Sequence, residues 1–383
     1  MSSTPDRGIN GSRYFDNAGT SFPKPAGVSR AMARYLDDIG GTYGRGAYPR
    51  ALTVSRTVES ARDRVAEVLG TKLADNIVFA PNATFAINTV VNSILYNSGK
   101  VLVSPLEHNA VMRPLAELRR LGKLDFEVLP WREDGIIDIE KFEAMPLLGV
   151  KLVVVNHQSN VNGAIQPIAR VKAALGKIPL LVDASQSLGS MPFTADDWDL
   201  DFVAFTGHKS LLGPTGTGGL FMRNPGVLSP LVFGGTGSAS DRFEMPETLP
   251  DRFEAGTGNI AGIFGLLAAL DEKPRSRHSK NDFFQMVEDL RGIKGISVFS
   301  AIDFSNQGEV VSVAHDHLDP AQIGDRLAKD FGIDVRIGLH CAPLAHRTLG
   351  TFPQGTVRFA PSPYHCGEDL SALVDALKEV IRR

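Results

Sequence analysis

Cysteine is scarce, with only Cys341 and Cys366 among 383 residues. Two cysteines cannot build a disulfide framework, and their spacing fits no metal motif. A reducing cytoplasm is therefore the expected compartment. Long apolar runs are also missing. The aliphatic stretches at 153–155 and 180–182 fall far short of the ~20 residues that a membrane helix needs, so no membrane partner is expected. The opening 15 residues are polar, without the apolar segment of a secretion signal. No charge of one sign dominates, since 40 basic residues face 43 acidic ones and the formal net charge is -3. A protein that binds nucleic acid through phosphates ordinarily shows a basic excess or stripe, and none is visible.

What is present is ordinary globular material, 43% hydrophobic and 22% charged. At roughly 150 residues per domain, the length suits two to three domains. Residues 1–22 read as an irregular N-terminal arm. Helical spacing follows at 25–36 and at 55–69, where Val58, Ala61, Val65 and Val68 share a face. Short apolar runs then occur at 77–80, 101–104, 126–129, 152–156, 180–183, 202–206 and 219–222. Helical segments at 85–95, 109–121, 140–145 and 168–175 alternate with them. This order predicts an α/β domain with a mostly parallel seven-stranded sheet, covered on both faces. A helix at 263–270 leads into a charged stretch at 272–281. The remainder reads as a smaller α+β domain, with helices at 282–290, 320–331 and 368–383 and strands at 296–299, 310–314, 335–337 and 356–360. The expected division is an arm at 1–22 packed on the small domain, a large domain at 23–265 and a small domain at 266–383.

The strongest chemical signal is Thr206-Gly207-His208-Lys209, directly after an apolar run and before a glycine-rich turn at 213–219. A lone lysine beside a turn is ordinarily a surface residue. A partly desolvated lysine at a strand end can instead lose its proton and attack a carbonyl. A phosphate loop is excluded, because the lysine precedes the glycines. Upstream, Asp183 ends a buried run, where open α/β sheets bind ligands. Alone it could equally cap a helix. Together, an acid and a downstream lysine are what pyridoxal phosphate requires, one near its ring nitrogen and one for its aldehyde.

Asp183 with Gln186, followed by His208-Lys209, resembles the fold-type-I pyridoxal-phosphate enzymes of the class V aminotransferase family. Further stretches match in order: 15–19 (FDNAG), 81–88 (PNATFAIN), 107–110 (EHNA), 157–163 (HQSNVNG) and 253–259 (FEAGTGN). The resemblance implies that Ala83, Thr84, Thr206 and His208 hold the cofactor phosphate. It implies that His108 stacks on the pyridine ring and assists proton transfer, and that Asn160 helps hold the substrate carboxylate. It implies a homodimer in which Thr257 reaches the neighbouring subunit's phosphate. Each feature has a plain alternative, a helix cap for Thr84 and a hydrogen-bonded strand-end histidine for His108.

The segment 335–343 (VRIGLHCAP) resembles the active-site loop of cysteine desulfurases and selenocysteine lyases, in particular their short-loop group. The resemblance makes Cys341 the sulfur-accepting nucleophile, on a loop with access to solvent. Cys366 lies at no family catalytic position. Val357-Arg358-Phe359 resembles the strand whose arginine clamps the substrate α-carboxylate, a bidentate task suited to a planar guanidinium. Arg336, five residues before Cys341, is expected beside the same site as a further substrate-binding residue. After Arg358 the family commonly has an Asn-Thr pair, whereas this chain has Ser362-Pro363. The implied activity is conversion of L-cysteine to L-alanine with sulfur left on Cys341, for delivery to a sulfur-acceptor protein. L-selenocysteine is an alternative substrate. Rival readings are a transaminase or β-lyase on the same scaffold, with Cys341 incidental, and a scaffold protein without turnover.

Overall fold

The computed structural model describes residues 13–44, 46–94 and 99–382. The rest of the arm, Leu95 and Arg383 of two expected helices, and residues 45 and 96–98 lie outside the described residues. The chain opens with β1 (Arg13–Tyr14), α1 (Ala26–Arg34) and α2 (Pro49–Leu69). Then come β2 (Ile77–Ala80), α3 (Ala83–Ile94), β3 (Lys100–Val103), α4 (Asn109–Arg120) and β4 (Asp125–Val128). These are followed by α5 (Ile139–Glu143), β5 (Val150–Asn156), α6 (Ile168–Leu175), β6 (Leu180–Asp183), β7 (Phe202–Thr206) and β8 (Gly218–Met222). After α7 (Ile260–Asp271) come α8 (Lys280–Arg291), β9 (Ile296–Phe299), β10 (Val311–His315) and α9 (Pro320–Phe331). The chain closes with β11 (Ile333–Asp334), β12 (Arg336–Gly338), α10 (Pro343–Thr348), β13 (Thr356–Phe359) and α11 (Gly367–Arg382).

Seven strands form one sheet in the order β2-β8-β7-β6-β5-β3-β4. The run from β4 to β7 is parallel, and β8 is antiparallel to both β7 and β2. Alternate residues of the strands feed two separate cores, because side chains alternate across a sheet. Leu102, Val153, Val155, Val182 and Val203 pack on one face with α6 and part of α2. Val101, Val103, Leu152, Val154 and Leu181 pack on the other with α3 and α4. Continuous apolar strands follow from that double burial. A second sheet, β12-β13-β10-β9, is antiparallel and carries α8, α9 and α11 over its own core of Phe283, Val287, Ile323, Leu327 and Leu373.

Several sequence expectations shift. The arm is not wholly irregular, since β1 pairs in parallel with β11. Helix α2 begins at Pro49 rather than at 55, with proline in its first turn and Ala51 and Val54 already buried. The strand expected at 335–337 is observed as β12, paired with β13, while β11 just before Val335 takes β1 as partner, a choice made by tertiary packing. Helix α7 runs unbroken through 265/266, with Leu266 and Leu270 in the core of the large sheet. Among the described residues, no helix is long and apolar enough to cross a membrane.

Candidate active site

Parallel strands end along one edge, and functional groups gather there. Asn156 closes β5, Asp183 closes β6 and Thr206 closes β7. Above this edge lies a cleft of about 210 Å³, lined by Asp183, Gln186, Thr206, His208 and Lys209 from the sheet side. Ala83 and Thr84 line it from the start of α3, and His108 and Asn160 complete its walls. Gln186 and Lys209 also border a second cavity of about 260 Å³, whose far wall includes Ser362 and Pro363.

Lys209 is partly buried at the cleft, and its amine is lowered to about 8. Burial is the main cause. The Asp183 carboxylate and Cys341 work against it, while Arg358 and Arg336 reinforce it. The same forces place those side chains within electrostatic reach of one amine. Asp183 is only 4% exposed. Its Oδ1 accepts from the backbone N–H of Ser185 at 3.0 Å and from the Ser185 hydroxyl. His108 caps α4, its Nδ1 accepting from Ala110 N at 3.0 Å, which puts the ring proton on Nε2. Burial first, then Lys209, keeps the His108 imidazole neutral at ordinary pH. His208 is lowered to about 4 by burial and by Lys209 and Lys24, and its Nδ1 lies 3.0 Å from Thr20 Oγ1.

Cys341 is exposed at a tight corner of the chain. His340 and Cys341 adopt consecutive left-handed conformations, with φ of 49° and 57°. That geometry costs roughly 1–2 kcal/mol for each non-glycine residue, and neighbouring bonds offset it. Asn109 N donates to the Cys341 carbonyl at 2.8 Å, and Asn160 Nδ2 donates to the His340 carbonyl at 2.8 Å. The buried His340 ring lies 2.9 Å from Thr356 Oγ1 through Nε2. The corner is thus fixed to α4, to the cleft wall and to β13.

Arg358 is 1% exposed. Its Nη1 donates to the Asn160 carbonyl at 2.9 Å and its Nη2 pairs with Asp16, while Nε has no partner. Arg336 is half-exposed, with Nη1 3.6 Å from Asp16 Oδ2. Thr257 is exposed and outside the cleft of its own chain. Cys366 also stands apart, its thiol donating to Asp369 Oδ2 at 3.2 Å.

Two residues with prominent environments had no individual role in the sequence reading. Asp16 lay within a matched stretch, and only the burial of Arg358 exposes its part. Glu107 is fully buried beside His108. Its Oε1 accepts from Ser104 Oγ at 2.7 Å and from Asn156 N at 2.8 Å, and its Oε2 has no partner. Burial pushes its carboxyl up to about 8.

The cleft's donor set suits an anionic group joined to a flat ring. The first N–H groups of α3 have no partner within the helix, and Ala83 and Thr84 border the cleft. Thr206 and His208 line the same cleft from the end of β7 and the turn after it. The buried, unpartnered Asn160 Oδ1 has room for a further donor. A carboxylate and an amine at the cleft floor complete a set that fits a phosphorylated pyridine aldehyde.

Fold and site together define a class, an α/β enzyme with a partly buried lysine at the carboxyl edge of a mostly parallel sheet. A sequence model of the family described as aminotransferase class-V matches residues 13–373. A probable cysteine desulfurase of Methanothermobacter thermautotrophicus is 36% identical over 383 aligned positions, spanning 96% of this chain and 94% of that relative. The apo structure of a cysteine desulfurase from Thermococcus onnurineus NA1 is similar with a TM-score of 0.89 at 29% identity, over 97% of this chain and 95% of the other. The cysteine desulfurase CsdA from Escherichia coli, in an S-sulfonic acid form, gives 0.84 at 26% identity over 96% and 94%. The chain belongs to the class-V aminotransferase family, and its architecture is that of the fold-type-I transferases.

Proposed function

We propose that the protein is a pyridoxal-phosphate-dependent cysteine desulfurase. It converts L-cysteine to L-alanine and takes the sulfur onto Cys341 as a persulfide. The observation that carries this reading is one cleft lined by Lys209, Asp183, His108 and Asn160, with Asn160 bonded both to the His340 carbonyl beside Cys341 and to Arg358.

When bound, pyridoxal phosphate supplies an electron sink for the negative charge that develops at the substrate Cα. Ala83, Thr84, Thr206 and His208 hold its phosphate. Asp183 keeps a proton on its ring nitrogen, and Gln186 and the flat ring of His108 fix the plane of the ring. Lys209, whose ε-nitrogen faces the same cleft, would hold the cofactor aldehyde. Arg358 and Asn160 then hold the substrate carboxylate. The freed amine of Lys209, poised near neutrality, removes the Cα proton. The Cys341 thiolate attacks the substrate sulfur. The new S–S bond forms as the Cβ–S bond breaks, and the departing electron pair stays with carbon. Protons returned to Cβ and Cα, with His108 as a carrier, give alanine. L-selenocysteine enters by the same steps. The enzyme acts in the cytoplasm as a homodimer, with Thr257 of one copy at the phosphate of the other, and passes its sulfur to an acceptor protein.

Two variants test this. Lys209→Ala is expected to abolish the visible absorbance of the bound cofactor. Cys341→Ala is expected to keep that absorbance and lose sulfur release, measured as alanine and sulfide from cysteine or selenide from selenocysteine. Full activity in Cys341→Ala would refute the assignment and favour a β-lyase.

A further inference from the structure

Arg358 presents an electrostatic difficulty. It faces Arg336 directly across the β12–β13 ladder, so two cations stand opposite each other. Arg358 is buried, and a buried cation without a counter-charge is costly. Asp16 supplies the compensation for both, one oxygen on Arg358 and the other 3.6 Å from Arg336. The backbone around Asp16 is itself fixed. Asp16 O accepts from Gly19 N at 2.9 Å, and a Cβ at Gly19 would come within 2.9 Å of the Asp16 carboxylate. Asn17 ties this turn to the Ala360 carbonyl at 2.9 Å, and Ser21 N ties it to the His208 carbonyl at 2.9 Å. With Nη1 on Asn160 and Nη2 on Asp16, the terminal nitrogens of Arg358 are engaged, and Arg358 does not line the cleft.

We propose that Asp16 is an exchangeable internal counter-ion, a resident carboxylate on the arginine that receives the α-carboxylate of the amino-acid substrate. Binding moves Asp16 wholly onto Arg336 and yields Arg358 to the incoming carboxylate. Two cations then face two carboxylates, so the liganded site is neutral where the empty one carries a single excess positive charge. Arg336 thereby acts through Asp16 as a positioning residue and does not touch the substrate. The other charged or titratable groups whose fields meet these side chains are Tyr14, His108, His340 and Lys209. The inference rests on the reading of Arg358 as the carboxylate clamp.

The test uses the holoenzyme and two non-turnover ligands, followed through the cofactor's visible absorbance. L-Alanine carries a carboxylate, and ethylamine does not. Asp16→Asn leaves Arg358 uncompensated in the empty site, so L-alanine should bind about tenfold tighter, while ethylamine changes less than about twofold. Arg336→Gln leaves displaced Asp16 without a partner, so L-alanine should bind several-fold more weakly, again with ethylamine unchanged. Opposite signs for the two variants are the signature. Unchanged or weakened L-alanine binding in Asp16→Asn would overturn the proposal. If that variant fails to fold, Arg336→Gln decides, and unchanged L-alanine affinity there also overturns it. Arg358→Gln separates the premise. If it binds L-alanine as the parent does, the clamp assignment itself is wrong. If it alone weakens binding, the clamp stands and the exchange falls.

Discussion

Lys209 shows what burial does to a single residue. An amine at about 8 is neutral in roughly a tenth of molecules at pH 7 and in nearly all above pH 9. The rate at which the apoprotein takes up pyridoxal phosphate, followed by visible absorbance, should therefore rise with pH through about 8 and level off near pH 9. A rise continuing to pH 10 or beyond would mean an ordinary exposed lysine. Glu107 gives a second, opposite case. Its folded carboxyl stands at about 8, above the ordinary 4.5. Between those values the folded state binds the extra proton, so stability falls as pH climbs from about 4.5 to 8. Glu107→Gln removes that dependence. Its denaturation midpoint should gain on the parent's between pH 5 and pH 8, and parallel curves would contradict the buried protonated carboxyl. Residues at this scale were unevenly legible. Asp183 and Lys209 could be singled out because the acid ends one apolar strand and the amine follows another by three residues. Asp16 and Glu107 could not, because their roles depend on what surrounds them, and burial across distant segments is not written in local sequence.

At the scale of elements, strands that are buried on both faces were the most legible, and β6 and β7 begin and end where their apolar runs do. Pieces whose partners are remote were less so. The two-residue β1 exists only because β11 lies beside it, and the break at Val335 reflects a change of partner. The corner at His340 and Cys341 was equally hidden, since a left-handed backbone is uncommon for any residue but glycine and two in succession carry no local sequence signal. The cofactor cradle also depends on fit between elements. A Cβ at Gly218 on β8 would lie 2.6 Å from the Phe205 carbonyl and 3.0 Å from Asn82 Cα, just before α3. Gly218→Ala is expected to lower stability by about 1–3 kcal/mol and to weaken cofactor binding as the start of α3 shifts. Chemical denaturation and cofactor titration measure the two effects. Unaltered cofactor affinity would mean that the helix N-terminus does not hold the phosphate.

Across the whole molecule, the segment from Arg13 to Lys24 acts as a strap. Arg13 pairs with Asp369 of α11, and Asn17 bonds to Ala360 beyond β13. Ser21 and Lys24 reach the His208 carbonyl beside Lys209. Arg358 and Lys209, far apart in sequence, are thereby held in register. We place the division between the large and small units at 272–281, after α7, because α7 packs on the large sheet and α8 on the small one. The proposed dimer would explain why Phe233 remains 71% exposed and Thr257 stands clear of its own cleft. Light scattering should return twice the chain mass of 41.3 kDa, and a monomeric mass with full activity would remove the partner's threonine from the site. The central claim joins one lysine to one thiol. Its most direct test is mass spectrometry of the holoenzyme after a single addition of L-cysteine, with alanine quantified in parallel. The account predicts one added sulfur atom on the peptide bearing Cys341 and one alanine per active site. Alanine release with Cys341 unmodified would contradict it.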